Sequence, residues 1–107
     1  MITVTNRINV KKGMGEKMAP MFAKPGPLQQ FEGFHKVEVQ VSTQFEEHDE
    51  LNVVMYWDNE ASFDVWRSSD AFKAAHKRPT NGEPDPNSPV LSSQIIVANL
   101  AATIAKA

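Results

Sequence analysis

The chain has 107 residues, enough for a single domain (1–107) near the small end of what folds alone. Its 41% hydrophobic and 22% charged residues are ordinary for a globular protein, and a net charge of −2 with scattered lysines and arginines excludes a basic nucleic-acid stripe. Cysteine is absent, which excludes disulfides, thiolate metal sites, covalent haem attachment and a cysteine nucleophile; no apolar run approaches a membrane span and no signal peptide is visible, so a cytoplasmic protein without a membrane partner is expected.

"ITVTNRINV" puts Ile2, Val4, Ile8 and Val10 on one side and Thr3, Thr5, Arg7 and Asn9 on the other, which predicts a half-buried strand. Asn6 breaks that code by lying on the apolar side. Residues 15–24 predict a helix with Met18, Met21 and Phe22 on its apolar face, and Pro20 implies a kink or a short first segment. "KPGPLQQFEGF" reads as a loop with a helical turn, anchored by Phe31 and Phe34. "HKVEVQVST" is a second strand with Val37, Val39 and Val41 inward, and "QFEEHDE" reads as a charged hairpin connection in which His48 is solvated. "LNVVMYWD" is a third strand, apolar on both sides at Val54 and Tyr56, so both of its faces are expected to be covered.

Asn59 is a good N-cap, with Glu60 in the first turn of the helix that carries Phe63 and Trp66. Ser68-Ser69-Asp70 again look like caps, so the helix restarts there and runs to His76. Residues 80–89, rich in Pro, Asn and Gly, predict a mobile loop, and "SQIIVANLAATI" a last strand that is apolar on both faces. The order β-α-β-β-α-β is that of the ferredoxin-like split unit, an α+β fold whose antiparallel sheet carries both helices on one face. The two-sided third and last strands predict that a second copy covers the other face, giving a homodimer.

Three residues do not fit pure packing. His76 shares a helical face with Phe72 and Ser69, where leucine would pack better. Taken alone it reads as a partly exposed histidine at a helix C-terminus, favoured by the macrodipole. The inward amide of Asn6 costs about 1–3 kcal/mol if unpartnered. It suits either a satisfied core asparagine or the lining of a cavity. Trp66 is ordinary core by itself, but an indole also makes a rigid wall for a ligand. Together the three surround the space between sheet and helices with an amide, an imidazole and an aromatic wall. His35, at the start of the second strand, reads as solvated.

Four segments carry a family resemblance: "NRINVKKG", "FEGF", the pattern W-x8-W-x3-D-x-FKAAH from Trp57 to His76, and "SP" before the last strand. In these the chain resembles the IsdG-type haem-degrading monooxygenases of the antibiotic-biosynthesis-monooxygenase-like group, which are dimeric α+β barrels. The resemblance implies that His76 is the axial ligand of haem iron, that Asn6 hydrogen-bonds on the oxygen-binding side of the iron, and that Trp66 presses the porphyrin into a ruffled shape. Phe22 is large enough to press on the porphyrin as well, by size rather than by motif. Haem would be both cofactor and substrate, opened by O2 to a linear tetrapyrrole with release of iron. No flavin or nicotinamide fingerprint is visible, so electrons are expected from an external reductase. Lys77, Arg78 and the 80–89 loop are candidates to meet the haem propionates. Two other readings stay open: a cofactor-independent monooxygenase acting on a phenolic or polyketide substrate with His76 as base, and a haem-binding dimer that does not turn over.

Overall fold

The structure, a computed structural model, describes residues 1–75 and 89–106. Strand β1 (Ile2–Lys11) is central, with β3 (His48–Trp57) on one side and β4 (Val90–Asn99) on the other; β2 (Phe34–Ser42) completes the order β2-β3-β1-β4. Every pairing is antiparallel. The period-2 reading of β1 holds: Ile2, Val4, Ile8 and Val10 are buried, whereas Arg7 and Lys11 are exposed. The predicted ferredoxin-like order is therefore observed in four strands and the helices between them.

The first helical segment is shorter than the expected 15–24. Helix α1 is a single turn, Gly15–Met18, followed by a 3-10 turn, Ala19–Phe22, with Pro20 in its first turn. Proline lacks the N–H that an α-helix would use there, so the chain changes to the tighter turn. Met18 is buried as expected, but Met21 is exposed, because the 3-10 geometry rotates it off the face that the 3.6 period assigned. A second 3-10 turn, Pro27–Gln30, is the helical turn foreseen before Phe31. Gly33 follows it with φ +86°, where a side chain is strained, and a Cβ there would stand 2.7 Å from Ser62 Cβ. Glycine thus lets the turn press against the start of the next helix.

Helix α2 (Glu60–Arg67) begins as its sequence signals require, with Asn59 Oδ1 accepting from the Ser62 N–H at 2.9 Å. The restart is also present: α3 spans Asp70–Ala75, and Ser69 Oγ accepts from the Phe72 N–H at 3.1 Å. The last strand starts and ends earlier than expected, and residues 100–106 carry no regular structure.

Both helical segments lie on the even-numbered face of β1. Their apolar side chains form two clusters. One contains Ile2, Val4, Met55, Trp57, Phe63 and Trp66, and the other Ile8, Val10, Met18, Leu51 and Val53. The opposite face shows Thr5, Arg7, Val54, Tyr56 and Ile96, with no helix over it among the described residues. Val54 and Tyr56 are only half-buried there. The β4 edge exposes Ile95 and Val97 toward one face and Ile96 toward the other.

Candidate functional site

Asn6 sits between Val4 and Ile8 on β1, so its side chain emerges where the two apolar clusters meet. Its neighbours across the ladder are Val53 and Ile95. The residue is half-buried, yet its Oδ1 is shielded from solvent and has no hydrogen-bond partner among the described residues. An orphaned buried amide oxygen is unfavourable by about 1–3 kcal/mol, so a ligand that supplies a partner is favoured there. The same group turned by 180° offers its NH2 instead, so the position can donate or accept as the guest requires.

Trp66 and Phe22 lie on the two sides of Asn6. Trp66, at 8% exposure, belongs to the cluster under α2, and half-buried Phe22 packs on the cluster under α1. The aromatic side is the better braced. Trp57 is fully buried and meets Trp66 at 6.0 Å, Phe63 at 6.1 Å and Phe34 at 5.3 Å between ring centroids. Phe72 stands edge-on to Trp66 at 4.7 Å. Trp66 is thus part of the core. His76 lies outside the described residues, as do Lys77, Arg78 and most of the 80–89 loop. In sequence His76 directly follows Ala75, the last residue of α3.

Two acidic residues assigned to a charged hairpin are instead inside β3. Asp49 is 2% and Glu50 6% exposed. Asp49 lies in phase with Leu51, Val53, Met55 and Trp57, so the alternation that flagged Asn6 could also have flagged this carboxylate. It staples the start of α1: Oδ2 accepts from Gly13 N–H at 2.9 Å and Gly15 N–H at 3.1 Å, and Oδ1 pairs with Lys12 Nζ at 3.1 Å. The Gly15 N–H is the main cause that holds this carboxyl below its ordinary range; burial opposes it, while Lys12 and Gly13 reinforce it. Lys12 also donates to the carbonyls of Thr43 and Phe45, each at 2.7 Å. A one-turn helix too short to be stable alone is thereby fixed in place, and with it Met18 and Phe22.

Glu50 points to the helix-free face, where Arg7 binds it through Nε–Oε1 at 2.7 Å and Nη2–Oε2 at 3.3 Å. That contact is the main cause lowering the Glu50 pKa, against burial. A polar depression of about 530 Å3 lies beside the pair, lined by Arg7, Asn9, Ser92, Ser93 and Gln94. A smaller one, about 280 Å3, lies by β2 between Leu28, Phe34 and Val37 below and Lys24, His35 and Lys36 at the rim. Neither includes Asn6: the larger is on the opposite face of the sheet, and the smaller lies against the far strand. His35 is exposed as expected and meets Asp58 Oδ1 through Nε2 at 2.5 Å. His48 is half-buried rather than solvated, stacked on Phe45 at 4.7 Å.

Residues 1–78 match the model of the antibiotic biosynthesis monooxygenase family. The chain belongs to that family. A staphylobilin-producing haem oxygenase of Staphylococcus haemolyticus is 44% identical over 104 residues, covering 97% of this chain and 99% of the relative. Among solved structures, a Bacillus cereus protein assigned to antibiotic biosynthesis monooxygenase superposes with a TM-score of 0.80 at 25% identity, covering 100% of this chain and 97% of that one. A Mycobacterium tuberculosis haem-degrader, solved with two haems in its active site, has a TM-score of 0.72 at 18% identity, covering 98% and 100% of the two chains. For this antibiotic biosynthesis monooxygenase-family chain, the last likeness establishes the fold alone.

Proposed function

We propose that this protein is a haem-degrading monooxygenase that opens haem with O2 and electrons from an external reductant, yielding a linear tetrapyrrole and free iron. The observation that carries the reading is the orphaned Asn6 amide oxygen at the meeting of two apolar clusters, in a chain nearly half identical to haem oxygenases over almost its whole length. A flat apolar guest with one polar centre suits a site of that description.

In this reading haem is the substrate, and when bound it supplies the iron that takes up oxygen and the ring that is cut. His76 holds the iron through a neutral imidazole, which needs no cysteine. Asn6 offers an N–H to charge that builds beside the iron, in a region where apolar side chains exclude water and make such a bond stronger. Trp66, braced by Trp57, Phe63 and Phe72, would be the wall that presses on a porphyrin lying against it. Phe22 is the opposing contact. The 107 residues act as one domain, working in the cytoplasm.

The proposal includes a homodimer. Ile95, Ile96 and Val97 leave both faces of β4 apolar and exposed, and Val54 and Tyr56 are half-buried on the helix-free face. Such an apolar edge is more stable covered than bare, and a second copy supplies matching surface. A monomer in sedimentation at micromolar concentration would remove the dimer.

The function is tested with haemin. A Soret band should grow on titration and be lost in His76→Ala. Under air with ascorbate and catalase, the band should fall as a tetrapyrrole chromophore and chelatable iron appear. A stable spectrum under reductant would leave only a haem-binding protein, and a band indifferent to His76→Ala would remove the assigned ligand. No Soret band at all would favour the cofactor-independent monooxygenase.

A further inference from the structure

The joint between α2 and α3 is bonded twice through one residue. Ser69 Oγ donates to the Trp66 carbonyl at 2.5 Å and accepts from the Phe72 N–H at 3.1 Å. The Ser69 N–H also donates to the Trp66 carbonyl, at 3.0 Å, and the Ser69 carbonyl accepts from Lys73 at 3.2 Å. Phe72 then returns to the same tryptophan, its ring edge-on to the indole at 4.7 Å and 87°. Backbone and side chain of Trp66 are therefore both gripped from the first turn of α3. A cap that only started a helix would need the Ser69–Phe72 bond and nothing more.

Other ring contacts of the indole among the described residues come from β3 and α2, through Trp57 at 6.0 Å and Phe63 at 6.2 Å. Of these supports Trp57 belongs to the sheet and Phe63 to α2 itself, whereas Phe72 belongs to the helix whose next residue in sequence is His76. We propose that Ser69 and Phe72 are positioning residues that join the Trp66 indole to α3, so that the wall shaping the porphyrin and the helix leading to its iron ligand keep one fixed relation. The inference rests on the haem reading and deepens it. It assigns the geometry of the bent porphyrin, and hence which bridge carbon is cut, to residues that act through Trp66. A displacement near 1 Å in such a site can lower a rate by up to about 100-fold.

The test uses the full chain with both tryptophans replaced by fluorotryptophan and their fluorine NMR signals assigned through Trp57→Phe. In the haem-free protein, Ser69→Ala and Phe72→Leu should broaden or shift the Trp66 signal and leave Trp57 in place, while Ser69→Thr keeps the wild-type spectrum. With haemin bound, the out-of-plane porphyrin modes in resonance Raman should weaken. Turnover should then fall about ten-fold with KM within about three-fold, and the ratio of tetrapyrrole isomers should change. Circular dichroism checks folding; should Ser69→Ala fail to fold, Phe72→Leu carries the same prediction. An unchanged Trp66 signal in folded variants overturns the proposal, as does a loss confined to melting temperature with wild-type turnover and isomer ratio. Absence of haem uptake by the wild type would instead overturn the haem reading, and the fluorine signals separate the two failures.

Discussion

The two halves of the core, either side of Asn6, are built from different materials. Under α2 the packing is aromatic, with Trp57, Phe63 and Trp66 buried and Phe34 and Phe72 against them. Under α1 it is aliphatic and methionine-rich, with Ile8, Val10, Leu51, Met18 and Met14, and Phe22 is its one aromatic among the described residues. Rings interlock in few arrangements, whereas a thioether side chain adapts through several rotamers. The α2 half is held by ring packing and two capped helices. The α1 half is held by a charged staple from Asp49 and Lys12 to a single helical turn. The seam at Asn6 therefore joins one stiff half of the core to one compliant half.

The contrast breaks most directly at Trp57. Trp57→Ala should destabilise the fold by about 3–5 kcal/mol in chemical denaturation, since it empties a fully buried site that braces Phe34, Phe63 and Trp66. A loss below 1 kcal/mol would mean that the aromatic half collapses easily and is not stiff. Next in size is the seam itself. Asn6→Ala should lower haem turnover by about 100-fold with a Soret titration close to wild type. Because it also removes an unpartnered buried oxygen, its denaturation midpoint should not fall; near-normal turnover would show that the amide serves packing alone.

A smaller effect separates the staple from the rings. Asp49 and Glu50 have pKa values lowered in the folded state, so the unfolded chain binds more protons in the acid range and stability rises with pH there. Their contribution is complete above the ordinary carboxylate pKa near 4 and disappears as pH falls through their lower folded values. Asp49→Asn should therefore destabilise at pH 7 and flatten the acid limb of the denaturation profile, with Trp fluorescence of the aromatic half unmoved. An acid limb identical to wild type would show that Asp49 does not hold α1. Least of all, Met18→Leu should change stability by less than about 1.5 kcal/mol if the α1 half is compliant, as a denaturation midpoint will tell.

Much of this was legible in the residues. Asn6 stood out because one amide interrupted a strict alternation, and the strand follows that alternation. Asn59 and Ser69 announced their helices through side chains that bond nearby backbone, an interaction local enough to read from spacing. Met21 misled because the 3.6 period does not survive a proline, and the 3-10 turn that replaces it aims side chains differently. Asp49 was misread as hairpin because its partners, the Gly13 and Gly15 amides, are distant in sequence. Only pairing β1 with β3 brings them together.

The sequence alone determined the order of elements, the inward faces of β1 and β2, and the segments that place the chain with haem-degrading monooxygenases. All of these follow from periodicity or from matches along a short stretch. Only the tertiary structure decided that the core divides at Asn6, that Asp49 holds a one-turn helix, and that Ser69 and Phe72 close on Trp66. Those depend on side chains meeting across strands and helices in three dimensions, and pairing energies of that kind leave no period in the linear chain.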